Sequence, residues 1–296
     1  MRVAATGKSG QVVTALIERG SAAGHEVVAL GRPEMDLSDP ASIALAIEAA
    51  RPDVVVSAAA YTAVDKAESE ADLAHVVNGS GAGAVARAAK ALGVPVIHVS
   101  TDYVFDGRLN RPYRENDPTG PTGVYGASKL AGEQAVLAEH GNDAAILRVA
   151  WVYSPFGANF VKTMLRVAGD RDEVSVVADQ VGNPTSALDI ADGIFLVAQN
   201  LVASDDAALR GVFHMTARGE ATWADFAQAI FADSVSVGGA SATVRRITTA
   251  DYPTPARRPA NSRLDCARIA AIHGVILPEW RAALSTVVTR LQSASS

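Results

Sequence analysis

The apolar positions in the first half of the chain alternate between short continuous runs and longer segments with helical spacing. The short runs predict strands at Val3–Thr6, Val27–Leu30, Asp53–Ser57, Val94–Ser100 and Ala144–Tyr153. Most of these runs are apolar throughout, which is typical of strands covered on both faces. Strands that alternate with helices indicate βαβ units and therefore a parallel sheet.

Helices are predicted between these strands, with signals at their ends. The predicted segments are Val12–Ala22, Asp39–Ala50, Leu73–Leu92 and Tyr125–His140. The second begins with Asp39 or Ser38 as the N-cap and Pro40 in the first turn, and Gly93 and Gly141 end the last two.

After about residue 155 the pattern is less regular. It predicts a strand at Phe213–Met215, a helix at Trp223–Ala232 capped by Thr222, an irregular segment at Thr248–Asn261 and a frayed Ser293–Ser296. We expect an α/β fold, a Rossmann-type doubly wound parallel sheet with a smaller C-terminal α/β substrate-binding region. Residues 1–155 form the predicted NAD(P)-binding domain, to which later segments return, and residues 156–296 form mainly the substrate-binding region.

The length, charge and cysteine content of the chain limit the classes of protein to which it can belong. A chain of 296 residues can bury a full α/β core. Its net charge of −6 argues against a nucleic-acid partner, and no apolar run approaches the roughly 18 residues of a membrane span. Cys266 is the only cysteine, so no intrachain disulfide can form, and no signal peptide is visible. These features favour a cytoplasmic protein.

The loop between the first strand and the first helix has the pattern of a dinucleotide site. It contains Gly7, Gly10, Gln11 and Val12, and backbone N–H groups at the helix N-terminus there would face a pyrophosphate. Val13 stands where a third glycine is expected, so the helix is predicted to lie slightly further from the strand. A glycine-rich loop with no ligand has the same appearance, but its place within a βαβ pattern favours the cofactor.

The end of the second strand bears on which cofactor binds. A carboxylate there would bind the ribose of NADH, whereas a basic side chain would accept the 2′-phosphate of NADPH. The strand ends with Arg32 and without an acid, so NADPH is favoured and NADH remains possible. Arg32 is equally compatible with a solvated turn. Asp36 and Leu37 are candidates to line the adenine site.

Candidate catalytic residues lie at the start of a helix and at the end of a strand. Tyr125 and Lys129 are four residues apart, so both lie on one helix face. A nearby ammonium is expected to lower the pKa of the phenol from its usual value of about 10 and so suit it to proton transfer. Thr101 follows an apolar strand and is placed to hold a substrate carbonyl against Tyr125.

No competing chemistry is visible in the sequence. The six histidines are scattered, no His/Cys cluster indicates zinc, and no nucleophile elbow is present. His98, inside an apolar strand, is interpreted as a core residue with satisfied hydrogen bonds.

Six segments together resemble the dTDP-4-dehydrorhamnose reductase family of extended short-chain dehydrogenase/reductases. They are Gly7–Val12, Asp53–Glu70 (DVVVSAAAYTAVDKAESE), Ser100–Gly107 (STDYVFDG), Tyr125–Glu133 (YGASKLAGE), Arg148–Tyr153 (RVAWVY) and Arg258–Asp265 (RPANSRLD). The resemblance implies an enzyme of dTDP-rhamnose biosynthesis that reduces the C4 ketone of dTDP-4-dehydro-L-rhamnose with NAD(P)H to give dTDP-L-rhamnose.

The resemblance also implies roles for individual residues. Thr101, Tyr125 and Lys129 would form the catalytic triad, and Lys129 would also hold the nicotinamide ribose. Asp102 and Trp151 would contact the sugar or its phosphates, and Arg258 the diphosphate. The residues implied to line the cofactor are Ala59, Ala60, Tyr61, Thr62 and Val99. Ala15 and Leu188 stand where some family members carry glutamates of a magnesium-linked dimer, so no metal is expected.

Three alternatives remain open at this point. A ketoreductase for another nucleotide-linked deoxysugar would carry the same motifs. A non-catalytic cofactor-binding regulatory subunit is disfavoured because the triad is intact. A nicotinamide-dependent epimerase or dehydratase is also possible on this fold, but a dehydratase is not strongly favoured, because it would usually place acidic partners beside Thr101 and here Asp102-Tyr103 follows it. The expected partner is a small nucleotide sugar, and the expected assembly is a monomer or homodimer.

Overall fold

The computed structural model describes residues 1–293, so most of the predicted frayed terminus lies outside the described residues. A central sheet contains six parallel strands in the order β10-β5-β4-β3-β1-β2. The strands of the chain are β1 (Arg2–Thr6), β2 (Glu26–Leu30), β3 (Val54–Ser57), β4 (Val96–Thr101), β5 (Ala144–Val149), β6 (Val152–Tyr153), β7 (Glu173–Val177), β8 (Val181–Gly182), β9 (Thr185–Ser186), β10 (Gly211–His214), β11 (Ala221–Thr222) and β12 (Thr243–Ile247).

Helices cover both faces of this sheet. The helices are α1 (Gln11–Ala22), α2 (Pro40–Ala50), α3 (Val64–Ala67), α4 (Ala71–His75), α5 (Gly81–Leu92), α6 (Val124–His140), α7 (Phe160–Ala168), α8 (Ala187–Ala203), α9 (Trp223–Ser236), α10 (Ala267–His273) and α11 (Trp280–Ser293). One buried apolar cluster joins α1 and α8 to the sheet, and a second joins α2, α5 and α6 to its other face. The predicted doubly wound Rossmann-type fold is confirmed.

The predicted strands and helices of the first half are all present, but the segment Leu73–Leu92 is not one regular helix. A π-helical turn, Val76–Ser80, separates α4 from α5. Such turns insert one residue into the helix. Here the turn places the buried Asn78 side chain against the loop after β3 and against α6, where its amide makes three hydrogen bonds discussed below.

The segment Ala144–Tyr153 was predicted as one strand, and this is wrong. It is two strands, β5 and β6, because the backbone at Trp151 adopts φ +47°, the left-handed region that a strand cannot continue through. After this break, β6 pairs with β9 outside the central sheet. The turn carries the Trp151 side chain to the carboxyl edge of the sheet.

The second half of the chain contributes to both parts of the molecule. Strand β10, predicted at Phe213–Met215, returns to the central sheet beside β5, and α8 packs against α1. A third apolar cluster joins α7, α9 and α11 with the parallel β7–β12 pair. The helix predicted at Trp223–Ala232 extends to Ser236, and Thr222 caps it in a capping box with Asp225.

Two further observations concern the chain as a whole. No helix within residues 1–293 is both long and apolar enough to cross a membrane. Cys266 is a free, half-buried thiol whose sulfur accepts a hydrogen bond from the Thr216 backbone N–H. Desolvation raises the pKa of this thiol, which keeps it in the less reactive form.

Candidate functional site

The loop between β1 and α1 forms an open cradle. Gly7 has φ +104°, and a Cβ there would lie 3.2 Å from Val13 Cγ2 and 3.4 Å from Ala59 Cβ. A Cβ at Gly10 would meet no atom within 4 Å, and Gly10 begins α1 without a side-chain cap. The first N–H groups of α1 are therefore open to an anion. Val13, in the place of the third glycine, is buried in the core under α1.

Two other loop residues predicted to bind the cofactor use their side chains elsewhere. Gln11 Oε1 accepts hydrogen bonds from Ser154 Oγ at 2.7 Å and Asn159 Nδ2 at 3.0 Å. Val12 packs against the apolar cluster between α1 and the sheet. Only the backbone N–H groups of these two residues are thus candidates to contact a pyrophosphate.

The carboxyl end of β2 carries two basic side chains, of which sequence reasoning named only one. Arg32 is exposed and, among residues 1–293, makes no hydrogen bond or ion pair. Lys8 lies beside it, because a Cβ at Gly31 would be 3.1 Å from Lys8 Cγ. The Lys8 ammonium is ion-paired with Glu34. Lys8 lies within the glycine loop, so its position in the sequence could have indicated it.

The residues proposed for the adenine site shape the turn that leads into α2. Asp36 Oδ1 accepts hydrogen bonds from the Ser38 backbone N–H at 2.9 Å and from Ser38 Oγ at 2.7 Å, and these bonds lower the pKa of Asp36. Leu37 packs against α5 so closely that a Cβ at Gly81 would lie 2.6 Å from the Leu37 carbonyl oxygen. Contact of Asp36 and Leu37 with adenine stays a prediction.

The loop after β3, which carries Ala59, Ala60, Tyr61 and Thr62, is held in place from two sides. Thr6 Oγ1 accepts hydrogen bonds from the backbone N–H groups of Ala58 and Ala59, at 3.0 and 2.9 Å. This fixes the start of the loop beside Gly7. The loop therefore follows the same edge of the sheet as the cradle.

Asn78 fixes the other end of that loop, and sequence reasoning did not find it. Its Oδ1 accepts from the Tyr61 N–H at 2.7 Å, while its Nδ2 donates to the Tyr61 carbonyl at 3.1 Å and to Ser128 Oγ at 2.9 Å. Ser128 in turn donates to the Tyr125 carbonyl at 2.8 Å. The π-helical turn thus connects the cofactor-side loop to the first turn of α6.

Thr101 and Tyr125 meet at the carboxyl edge of the sheet. Thr101 ends β4, Tyr125 lies in the first turn of α6, and the Thr101 hydroxyl is within hydrogen-bonding reach of the phenol. Thr101 also donates to Asp102 Oδ1 at 3.0 Å. The Tyr103 ring packs edge-on against Tyr125, with centroids 5.5 Å apart. The phenol therefore lies between the Tyr103 ring and the Thr101 hydroxyl, with the Asp102 carboxylate near enough to act on it.

Lys129 does not lower the pKa of Tyr125 in this structure, contrary to the expectation from their spacing. Lys129 Nζ donates to the Val99 carbonyl at 2.8 Å and lies 3.3 Å from His98 Nε2. Desolvation, followed by the negative charge of Asp102, raises the pKa of Tyr125 to about 12. Desolvation lowers the pKa of Lys129 to about 8. Tyr125 is accordingly protonated at neutral pH, the form that can donate a proton.

Asp102 carries a buried carboxylate oxygen with no protein partner. The residue is 3% exposed, and its Oδ2 makes no hydrogen bond to any residue of the described chain. Desolvation raises the pKa of Asp102 to about 6, against the opposing effects of Ser262 and Thr101. A buried acceptor without a partner at this edge favours a ligand that brings its own hydrogen-bond donor.

Trp151 lies at the edge of the site and is paired with a second tryptophan. Its indole stacks on Trp223, with centroids 3.7 Å apart and 8° between the planes. Gly182 packs against the same indole so closely that a Cβ at this position would overlap the ring. Both tryptophans are half-buried. Sequence reasoning found Trp151 but interpreted Trp223 only as the first residue of a helix.

Arg258 lies near Tyr103 and is partly exposed. Its Nη2 donates to Asp65 Oδ2 at 2.7 Å, and both side chains remain partly exposed. Its positive charge opposes the rise that burial causes in the pKa of Tyr103, so the guanidinium lies near that ring. Contact with a diphosphate stays a prediction, and it would require Arg258 to bind the anion beside or in place of Asp65.

Comparisons with known proteins agree with this geometry. The family model described as "RmlD substrate binding domain" matches residues 1–293. A dTDP-4-dehydrorhamnose reductase of Sinorhizobium fredii is 50% identical over 98% of both chains. One of Burkholderia thailandensis is 47% identical over 99% of this chain and all of that protein.

Solved structures give the same result. A dTDP-4-dehydrorhamnose reductase of Clostridium acetobutylicum superposes with a TM-score of 0.91 at 35% identity, covering 99% of this chain and 100% of that one. The enzyme of Bacillus anthracis, solved in complex with NADP, superposes with a TM-score of 0.89 at 34% identity, covering 98% and 99%. These matches confirm the resemblance: the chain belongs to the dTDP-4-dehydrorhamnose reductase family.

Proposed function

We propose that this protein is an NADPH-dependent oxidoreductase that reduces the C4 ketone of dTDP-4-dehydro-L-rhamnose to give dTDP-L-rhamnose. Its relatives at 50% and 47% identity carry the name of this activity. The observation that carries the proposal is a Thr101 hydroxyl within hydrogen-bonding reach of a protonated Tyr125, with the buried Lys129 one turn further along the same helix.

The residues present fit a dinucleotide. The cradle at Gly7 and Gly10 leaves open space in front of uncapped N–H groups, which suits a pyrophosphate. Lys8 and Arg32 supply positive charge beside the end of β2, where a 2′-phosphate would lie. A structure of a relative contains NADP, which agrees with this preference. When bound, NADPH supplies the hydride for the reduction.

Each residue of the triad has a separate task. When the substrate binds, the Thr101 hydroxyl donates to the substrate carbonyl in place of Asp102 Oδ1 and holds that carbonyl next to the phenol. Tyr125 transfers its proton to that oxygen as the hydride reaches C4, so the ketone becomes an alcohol and the phenol becomes a phenolate. Lys129, whose ammonium contacts Val99 and His98 through two of its three N–H groups, holds the nicotinamide ribose through the third.

The substrate-side residues fit a 6-deoxy sugar linked to a diphosphate. The unpaired Oδ2 of Asp102 accepts a hydrogen bond from a sugar hydroxyl. The Trp151 ring offers an apolar surface to the methyl group that replaces the C6 hydroxyl. The partly exposed Arg258 binds the diphosphate.

A direct assay tests the proposal. Purified protein is given NADPH with dTDP-4-dehydro-L-rhamnose, and with a panel of other 4-keto sugar nucleotides, while absorbance of the reduced nicotinamide is followed. We expect the highest kcat/KM with dTDP-4-dehydro-L-rhamnose. A tenfold preference for another member of the panel would reassign the substrate, and inactivity with the whole panel would refute the reductase. Thr101→Val is the matched control, which keeps the shape and removes the hydroxyl.

Two further expectations belong to this proposal. The single unpaired thiol is compatible with a reducing compartment, which supports work in the cytoplasm. The expected assembly, a monomer or homodimer without a shared metal, stays a prediction. Light scattering coupled to size-exclusion chromatography measures the number of subunits, and the same measurement with a chelator shows whether the assembly depends on a metal.

A further inference from the structure

The catalytic lysine contacts a buried histidine that the proposed mechanism does not use. His98 lies in β4 and is 1% exposed, and Lys129 is 3% exposed. The distance from Lys129 Nζ to His98 Nε2 is 3.3 Å, and the second contact of the ammonium is the Val99 carbonyl at 2.8 Å. Two of the three ammonium N–H groups therefore have partners inside the protein.

The donors and acceptors determine the tautomer of this histidine. An ammonium can only donate, so Nε2 of His98 must accept and carry no proton. The proton is then on Nδ1, which lies 3.0 Å from Ser57 Oγ and donates to it. Burial and the charge of Lys129 hold the pKa of His98 well below its usual value, so the ring stays neutral.

The turn of α6 that follows Lys129 lies against this contact. A Cβ at Gly132 would lie 3.4 Å from His98 Nε2, which is an ordinary van der Waals distance, so α6 packs directly beside the imidazole. Glu133, one helical turn after Lys129, raises the pKa of the ammonium. Its carboxylate is itself bound by Arg148 through two hydrogen bonds of 2.8 and 2.6 Å. Its attraction for Lys129 is therefore shared with a second cation.

Among residues 1–293, the charge that acts on His98 is that of Lys129, whereas the other charged groups of the site act on its tyrosines. The Asp102 carboxylate acts on Tyr125 and Tyr103, and the positive charge of Arg258 acts on Tyr103. The acceptor that directly contacts the ammonium from the side of the sheet, besides the Val99 carbonyl, is thus the neutral His98.

We propose that His98 is a positioning residue, whose Nε2 holds the Lys129 ammonium so that its third N–H remains directed to the ligands at Tyr125. This inference rests on the proposed function, which gives Lys129 its catalytic role. A merely structural role for His98 in the core would affect stability alone. Positioning predicts an effect on turnover and on its pH dependence.

Two substitutions distinguish a positioning role of His98 from a purely structural one. His98→Gln keeps an acceptor, Oε1, at the reach of Nε2, whereas His98→Leu keeps an apolar volume and removes the acceptor. We expect His98→Leu to lower kcat at least about tenfold with a much smaller change in KM. We expect His98→Gln to stay within about threefold of the wild-type kcat. The control is His75→Gln, an exposed histidine on α4, with unchanged kinetics.

The pH profile gives a readout that packing alone would not move. Loss of an acceptor destabilises the buried ammonium and lowers the pKa of Lys129 further. Activity that requires the ammonium is then lost at lower pH, so the alkaline limb of kcat/KM moves to lower pH in His98→Leu. His98→Gln keeps the limb near its wild-type position. Equal kinetics and equal limbs in all three proteins would overturn the proposal.

A measurement on the unmodified protein does not depend on folding of a variant or on the substrate. Nitrogen-15 NMR of histidine-labelled protein, assigned through the backbone resonances of β4, reports which ring nitrogen carries the proton. We expect His98 as the Nδ1–H tautomer, without titration near the usual histidine pKa of about 6.5. An Nε2–H tautomer, or titration near that value, would refute the inference. If the wild type reduces no sugar nucleotide but shows the Nδ1–H tautomer, the proposed function fails and the geometry stands.

Discussion

The indole of Trp151 lies parallel to that of Trp223, 3.7 Å away between centroids, with Gly182 packed against the Trp151 ring. Trp223 is held because Thr222 and Asp225 form a capping box at the start of α9. The left-handed backbone at Trp151 turns its ring out of the line of β5. The pair is thus a rigid aromatic surface at the edge of the site, built from two distant parts of the chain.

The proposed contact between the Trp151 ring and the sugar can be tested by substitution. We expect Trp151→Ala to raise KM for the sugar nucleotide about tenfold, because an apolar surface for the sugar is lost, and to lower Tm by only a few degrees, because the ring is half-buried. Steady-state kinetics and calorimetry measure both effects. Trp280→Ala is the matched control, since Trp280 is 2% exposed in the core and its loss should cost on the order of 3–5 kcal/mol. If the Trp151 variant loses as much stability as the Trp280 variant and its KM is unchanged, contact between Trp151 and the sugar is ruled out.

Tyr125 is expected to be the proton donor. With its pKa at about 12, the phenol is protonated at neutral pH and can donate. Tyr125→Phe should lower kcat by orders of magnitude while the Kd for NADPH, measured by fluorescence titration, stays near normal. Tyr103→Phe, the neighbouring phenol, is the control and should retain most of its activity. A Tyr125 variant with more than about a tenth of wild-type turnover, a difference of roughly 1.4 kcal/mol, would exclude the assignment.

The two basic side chains beside Gly31 should set the cofactor preference. Lys8→Ala and Arg32→Ala are each expected to reduce the ratio of kcat/KM for NADPH over NADH, because each removes a positive charge from the expected 2′-phosphate position. Since Lys8 is already paired with Glu34, the effect of Arg32→Ala should be the larger one. Arg87→Ala, a surface arginine on α5 paired with Glu139, should leave the ratio unchanged. An unchanged ratio in both test variants would make Arg32 a solvated turn residue.

Asp102 should make the folded protein less stable as pH rises. Its pKa is 3.8 in the unfolded reference and about 6 in the folded chain, so between these values the folded state holds a proton that the unfolded state has lost. The free energy of unfolding contributed by this group therefore falls from about pH 4 to pH 6, by up to about 3 kcal/mol. Asp102→Asn should remove that fall, as urea unfolding at pH 4.5 and pH 7 would show.

A control for this prediction is Asp106→Asn. Hydrogen bonds lower the pKa of Asp106, so its own contribution changes below pH 3.8 and has the opposite sign. The fall between pH 4 and pH 6 should therefore persist in this variant. A fall of the same size in wild type and Asp102→Asn would show that Asp102 is not the responsible group.

Much of the fold could be predicted from the sequence because it depends on local patterns. Continuous apolar runs marked β1 to β5, and Asp39 and Gly93 marked helix ends, since caps act through neighbouring backbone groups. The phosphate cradle and the Tyr125–Lys129 spacing are also local, and the motif segments indicated the family. The helices α7, α8 and α11 were not predicted individually, because their apolar faces are paired with distant elements.

The tertiary structure alone decided how these residues act. Helical spacing predicts Lys129 beside Tyr125. In the folded chain the ammonium instead contacts Val99 and His98 of β4, and the expected lowering of the phenol pKa is absent. The stacking of Trp151 on Trp223 depends on a left-handed residue inside an apolar run, which periodicity cannot reveal. Sequence patterns report neighbours along the chain, whereas desolvation, tautomers and ring contacts depend on which elements meet in space.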